Sequence, residues 1–281
     1  MNTKSALLEI SENDLEAARH LFEKKLYPQA IFYLQQSVEK STKSLGLHFK
    51  IISEEDLEEI RHESFRIYVM ILEELKESAA RGYEKLMKLP GIQSMEVVRK
   101  HKDLDPSELN AMLNNFKKYV ENPKKSISKE ELETIISELD RIEAKTRESI
   151  KISEEAIQDF KNQILEIVDL VCESDELGLK LSEEEIEKVK SLTPEQATQL
   201  AKYTMLKASC NLHLLYLSVA LCPHAIHSRY PFPKQKFNPL NEYTESHLLI
   251  EKFDQIADMI ERTLNKIPTL FSNSHLDRLE F

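Results

Sequence analysis

Apolar residues along this chain recur every three or four positions over long stretches, the period of a helix with one buried face. Leu15, Ala18 and Phe22 carry that spacing in a first segment, which Ser11 and Asp14 are placed to begin. Pro28 suits the first position of a second helix, where its missing N–H costs nothing, and Ala30, Leu34, Val38 and Leu45 then line one face. Ser53 is placed to start a third, with Leu57, Ile60, Ser64, Ile67, Ile71 and Leu75 in register. The short connections between these segments predict antiparallel neighbours.

The middle of the chain is patterned differently. Asp105 and Pro106 begin a segment with Leu109, Met112, Leu113, Phe116 and Val120 on one side. Ser128 and Glu131 form a capping box ahead of Leu132, Ile135, Ile136, Leu139 and Ile142. Ser153 precedes Ile157, Phe160, Ile164, Val168 and Val171, so the two stretches predict a helical hairpin joined near Ile150. Breaks are expected at Pro123 and at Leu89-Pro90-Gly91.

Thr193-Pro194-Glu195-Gln196 combines a cap, a first-turn proline and a reciprocal glutamine, and predicts a helix running to about Cys222. From Met205 to Leu221 it is apolar on nearly every side, the mark of a helix covered by several neighbours. Four prolines between residues 223 and 243 exclude a regular helix there. Thr244 is expected to open a last long helix, with Leu249, Phe253, Ile256, Ile260, Leu264 and Ile267 on one stripe and Pro268 ending it.

Composition agrees with long helices: the 281 residues include four glycines, no tryptophan and 31% charged side chains. A hydrophobic fraction of 41% is enough for a folded core. The net charge of −11 argues against a dedicated basic nucleic-acid arm, although Lys117, Lys118, Lys124, Lys125 and Lys129 cluster locally. Acidic residues at the amino terminus and three irregularly spaced cysteines predict a cytoplasmic protein with reduced thiols and no membrane span. Cys210, His213, Cys222, His224 and His227 do not fall in a structural-zinc frame, so neither a metal site nor a cofactor is expected.

Two separated stretches carry a further pattern. The first runs from Asp14 to Lys43, includes Gln36-Ser37-Val38-Glu39-Lys40-Ser41-Thr42-Lys43, and extends to His62. The second is Arg229-Tyr230-Pro231 followed by Tyr243-Thr244-Glu245. Together, over residues 11–78 and 200–266, they resemble the HEPN family of prokaryotic helical-bundle proteins. The resemblance implies an all-α antiparallel up-and-down bundle, discontinuous in sequence: residues 1–78 plus 194–268, with 79–193 as a helical insertion and 269–281 as a tail. It also implies a nucleotide or RNA ligand, a homodimer, and a nucleotidyltransferase or antitoxin partner in a defence or toxin–antitoxin type system.

The nuclease branch of that family pairs an arginine with a histidine that follows it after four to six intervening residues. The histidine moves a proton and the arginine stabilises the phosphorane. No arginine of this chain has a histidine at that spacing. The reading therefore leans against an enzyme, with a metal-independent endoribonuclease of divergent site as the catalytic alternative. Candidate catalytic residues are His62, Arg66 and Arg229; candidate nucleotide-binding residues are Arg229, Tyr230 and Lys43. His62 and Arg66 also read as a polar surface pair beside Glu58 and Glu63. In the plainer account of the proline-rich turn, Tyr230 is buried and Arg229 meets a carboxylate or a helix C-terminus. Glu39 and Lys43, four apart, are placed to pair. A non-catalytic interaction module, using the inserted hairpin and the helix at 205–221 as a partner or homodimer surface, is the competing function.

Overall fold

A computed structural model describes residues 2–60, 66–71, 127–147, 153–159 and 190–273, with residues 73, 114, 161, 162, 165 and 187 between them. The first helix, α1 (Thr3–Glu23), starts well before Ser11: the Asn2 side chain accepts from the Ser5 N–H at 3.0 Å and caps it. Ser11 lies inside α1, fully buried, and its hydroxyl donates to the Ser37 carbonyl of α2 (Tyr27–His48) at 2.7 Å. The serine read as a cap is instead a small polar contact that lets two helices approach closely. Lys4 meets Ser44 and His48 at one end, and Ser11 meets Ser37 further along, so α1 and α2 run antiparallel.

Ser53 and Asp56 cap α3 (Asp56–Ile60) reciprocally, with Ser53 N–H to the Asp56 carboxylate at 2.7 Å and Asp56 N–H to the Ser53 hydroxyl at 3.3 Å. Residues 66–71 are also helical, and Ile52, Ile60 and Ile67 bury together. Gly46 belongs to this contact: a Cβ there meets Ile52 side-chain atoms at 3.1 Å. The expected capping box opens α4 (Lys129–Arg147), with Ser128 N–H to Glu131 at 2.8 Å and Glu131 N–H to Ser128 at 3.1 Å. Thr193 and Gln196 do the same for α5 (Pro194–Leu221), at 2.9 and 3.2 Å. The expected segment from Asp105 to Val120 apart from Asn114, the Lys117–Lys129 cluster apart from Lys129, and Cys172 lie outside the described residues.

The proline-rich stretch forms short turns: α6 (His224–His227), a 3-10 turn (Pro233–Gln235) and α7 (Pro239–Glu242). The last expected helix is three pieces, α8 (Leu248–Glu251), α9 (Phe253–Leu264) and α10 (Ile267–Ser272). Thr244 does not open it. The Thr244 carbonyl accepts the His247 N–H at 2.9 Å in a turn, and His247 caps α8. Nor does Pro268 end it, since Pro268 sits in the first turn of α10, where no N–H is needed.

Among the described residues every regular element is helical, apart from an isolated bridge between Phe232 and Phe237, and the fold is all-α. None of their helices is long and apolar enough to cross a membrane. The chain divides into two compact units, residues 1–71, 116–148 and 205–281 in one and 72–115 and 149–204 in the other. The first unit thus takes in α4, which falls within the stretch that the sequence assigns to an insertion. Its core joins α1 and α2 to α9, where Phe22 stacks on Phe253 at 3.9 Å and Arg19 bridges Asp258 and Glu261. Cys210, Leu214, Leu217 and Leu221 are at most 1% exposed, so that face of α5 is covered by its own chain. In the second unit Ile157, Leu192 and Ala197 bury together.

Candidate functional site

Helix α2 is buried on most of its surface, and its polar residues are consequently tied to one another. Glu39, 3% exposed, accepts from Gln35 at 3.2 Å, Gln36 at 3.1 Å and Lys43 at 2.8 Å. Lys40 extends the network to Asp14 of α1 and to Gln36. The expected Glu39–Lys43 pair forms. A carboxylate with this many donors is held rigidly, and the arrangement fixes how α2 sits in the bundle.

Arg229 follows the one-turn helix α6. Its Nε donates to the Ala225 carbonyl at 3.0 Å, the C-terminal contact expected of it. The guanidinium lies over the Phe32 ring of α2 at 4.7 Å and beside the Tyr230 ring at 5.1 Å. Among the described residues its two terminal nitrogens have no hydrogen-bond partner. A guanidinium held at one edge and across its plane offers its outer fork to a bidentate acceptor such as a phosphate. Tyr230 is not buried. It is 54% exposed, because the bridge between Phe232 and Phe237 and the His227 ring fill the inside of this turn instead.

Arg229 and Tyr230 are thus brought together. Lys43 is not with them: it is eleven residues beyond Phe32 on α2, about 16 Å along the axis at 1.5 Å per residue, and 8% exposed. Arg66 is exposed and reaches the Glu59 carboxylate at 3.8 Å and its carbonyl at 3.4 Å. His62 lies outside the described residues.

A second grouping was not legible as a site in the sequence. The His224 Nδ1 and the Tyr243 hydroxyl are 2.6 Å apart, and the His247 ring packs against both. Burial, then the neighbouring His247 and His227, depresses the His224 pKa to about 3. Burial also lowers His247, although Glu242 opposes it, and raises Tyr243. His224 and His247 line an open cleft of about 700 Å³, rimmed by Lys129, Asn241, Glu242 and Glu251. The sequence marked Tyr243-Thr244-Glu245 as a helix start, and spacing alone gave no sign that this stretch borders a cleft.

Residues 5–142 match the family model described as the HEPN domain. The chain carries a HEPN domain. The match begins within the first turn of α1, contains α2 and the Glu39–Lys43 network, and ends within α4. Arg229, Tyr230 and the cleft histidines fall after the matched HEPN residues, in a stretch that packs into the same unit, whereas Ile127 and Lys129 of the cleft lie within the match. No curated protein and no solved structure matches this HEPN-containing chain.

Proposed function

We propose that this HEPN-containing chain binds RNA or nucleotide phosphate without cleaving it, using Arg229 as the phosphate fork and the exposed Tyr230 ring as a base-stacking platform. The observation that supports this reading is the Arg229 geometry: Nε fixed on Ala225, the guanidinium over the Phe32 ring, and the terminal nitrogens without a hydrogen-bond partner among the described residues. Stacking on an exposed tyrosine is tolerant of sequence and contributes about 1–3 kcal/mol per base. Against a net charge of −11, recognition rests on a few aimed contacts rather than on a basic field. The absence of an arginine-to-histidine nuclease spacing favours binding over cleavage.

On this reading the bundle drawn from both ends of the chain, residues 1–78 plus 194–268, is the working domain, and residues 79–193 carry its particular partner preference. The HEPN domain further supports a cytoplasmic homodimer in a prokaryotic defence or toxin–antitoxin type system, with a nucleotidyltransferase or antitoxin as partner. The test is fluorescence anisotropy with a short labelled RNA, alongside a cleavage assay without metal. Wild type is expected to bind and not cleave, with Arg229→Ala and Tyr230→Ala each about tenfold weaker. Equal binding by all three proteins, or metal-free cleavage lost in Arg229→Ala, overturns the reading.

A further inference from the structure

The cleft beside Tyr243 is built from local constraints. Tyr243 is 3% exposed and meets His224, which is 4% exposed, through a 2.6 Å hydrogen bond. His247 accepts the Leu249 N–H on its Nδ1 at 3.2 Å, because it caps α8. A backbone N–H can only donate, so a neutral His247 must carry its proton on Nε2. His224 likewise has Nδ1 engaged, and Nε2 is its remaining polar atom. Among the described residues neither Nε2 has a hydrogen-bond partner. One buried ring, nine-tenths or more out of water, and one half-buried ring at right angles to it therefore line the cleft with a nitrogen each unengaged.

The chemistry of the lining narrows what can bind. The floor is uncharged at neutral pH, because burial holds both imidazoles in the neutral form. A buried anion against it lacks a counter-charge, which disfavours a phosphate or carboxylate there. The rim carries two carboxylates, Glu242 and Glu251, against one ammonium, Lys129, and so favours donors over anions. A ligand that fits offers a carbonyl oxygen to the His247 N–H. It offers an adjacent N–H or C=O to His224, whichever the Tyr243 proton requires, and further N–H groups to the rim.

We propose that this cleft is a small-molecule site for a neutral lactam-type heterocycle, recognised through paired carbonyl and N–H groups by His224, His247 and the rim carboxylates. The site is separate from the Arg229 fork and does not depend on the RNA reading. Ile127 and Leu248 supply apolar walls for a planar ring.

Titration of the full-length protein with hypoxanthine and uracil, followed by histidine NMR and calorimetry, tests it. Inorganic phosphate and benzimidazole, which is planar but has no carbonyl, serve as comparison probes. Lactams are expected to shift the His224 and His247 resonances saturably, and the comparison probes to leave them unmoved. His247→Asn keeps a capping acceptor for α8 while removing the imidazole donor, and is expected to weaken lactam binding about tenfold. Glu251→Gln lies on the exposed rim, leaves the fold intact, and is expected to weaken it several-fold. Saturable binding of phosphate or benzimidazole overturns the proposal, as does absence of any lactam response. Unchanged affinity in both variants also overturns it. Anisotropy with RNA on the same variants keeps the two sites apart, since neither substitution touches Arg229.

Discussion

Replacing Lys266 with methionine isolates one buried charge. In the wild type the Lys266 ammonium bonds the Glu143 carboxylate of α4, and the His213 Nε2 of α5 lies 3.7 Å from that same carboxylate. The Glu143 and His213 side chains are 8% and 4% exposed, and that of Lys266 is 20%, so the contact is largely shielded from bulk water. His213 donates its Nδ1 proton to the Ser209 carbonyl at 2.7 Å, and its pKa is lowered chiefly by burial, with Lys266 and Arg262 adding to the effect and Glu143 opposing it. At neutral pH the imidazole is uncharged, and Lys266 is a cation bonded directly to Glu143. Removing one partner of such a pair costs about 3–5 kcal/mol. At about 2–4 °C per kcal/mol, that predicts a fall in Tm of roughly 6–20 °C. The Lys266→Met, Glu143→Gln double variant removes both charges of this pair and is expected to recover most of the loss, a coupling that a double-mutant cycle reads directly. The deficit of the single variant is expected to shrink as pH falls. Without Lys266, His213 loses a cation that disfavours its protonation while keeping Glu143, so its folded-state pKa rises and the native state takes up a proton. Urea denaturation of all three proteins at pH 8 and pH 5 provides the assay. A Lys266→Met protein within 1 kcal/mol of wild type at pH 8 would falsify the reasoning.

The remaining predictions concern neighbouring contacts. A histidine depressed from 6.5 to about 3 stabilises the fold fully above its unfolded pKa and loses that contribution on acidification, so His224 alone should cost about 2 kcal/mol between pH 7.5 and pH 5. Tm against pH should flatten in His224→Gln, and an unchanged slope counts against the buried neutral ring. Ser11→Val inserts bulk where α1 meets α2 and removes the Ser37 hydrogen bond; a loss of about 1–3 kcal/mol is expected by chemical denaturation, and a neutral effect contradicts close packing there. Ser128→Ala removes one half of the α4 capping box and is expected to cost about 1 kcal/mol in the same measurement, with no effect on RNA binding.

What was legible in the sequence was local. The capping boxes at Ser128–Glu131 and Thr193–Gln196, and the Glu39–Lys43 pair, depend on residues three or four apart whose geometry a helix sets. Ser11 misled for the same local reason. A serine followed by an acid is a good cap, but its hydroxyl can equally be used across a helix interface, and only the position of α2 decides which. The broken C-terminal helix shows a related limit. The apolar stripe from Leu249 to Ile267 is continuous, yet the backbone pauses at Lys252 and again at Asn265 and Lys266, where periodicity carries no signal.

The candidate sites divide along the same line. Arg229 and Tyr230 were legible because an Arg-Tyr-Pro turn is a compact motif, but the exposure of Tyr230 depends on what fills the turn, and Phe232, Phe237 and His227 fill it. The Glu143–Lys266 contact spans 123 residues, and the histidine cleft assembles from α6, the turn after α7 and the start of α4. Neither has a spacing that a linear pattern can display. Their placement in one unit bears on function all the same. The Glu143 cluster ties α4 to α5 and to the approach to α10, and Lys129 at the start of that same helix stands on the cleft rim. Stability of the Glu143 contact and occupancy of the cleft should therefore be coupled: a lactam that engages the rim is expected to raise the Tm of wild type more than that of Lys266→Met, in which α4 is less firmly held. Equal shifts in the two proteins would show that α4 positions the cleft without help from its buried charge.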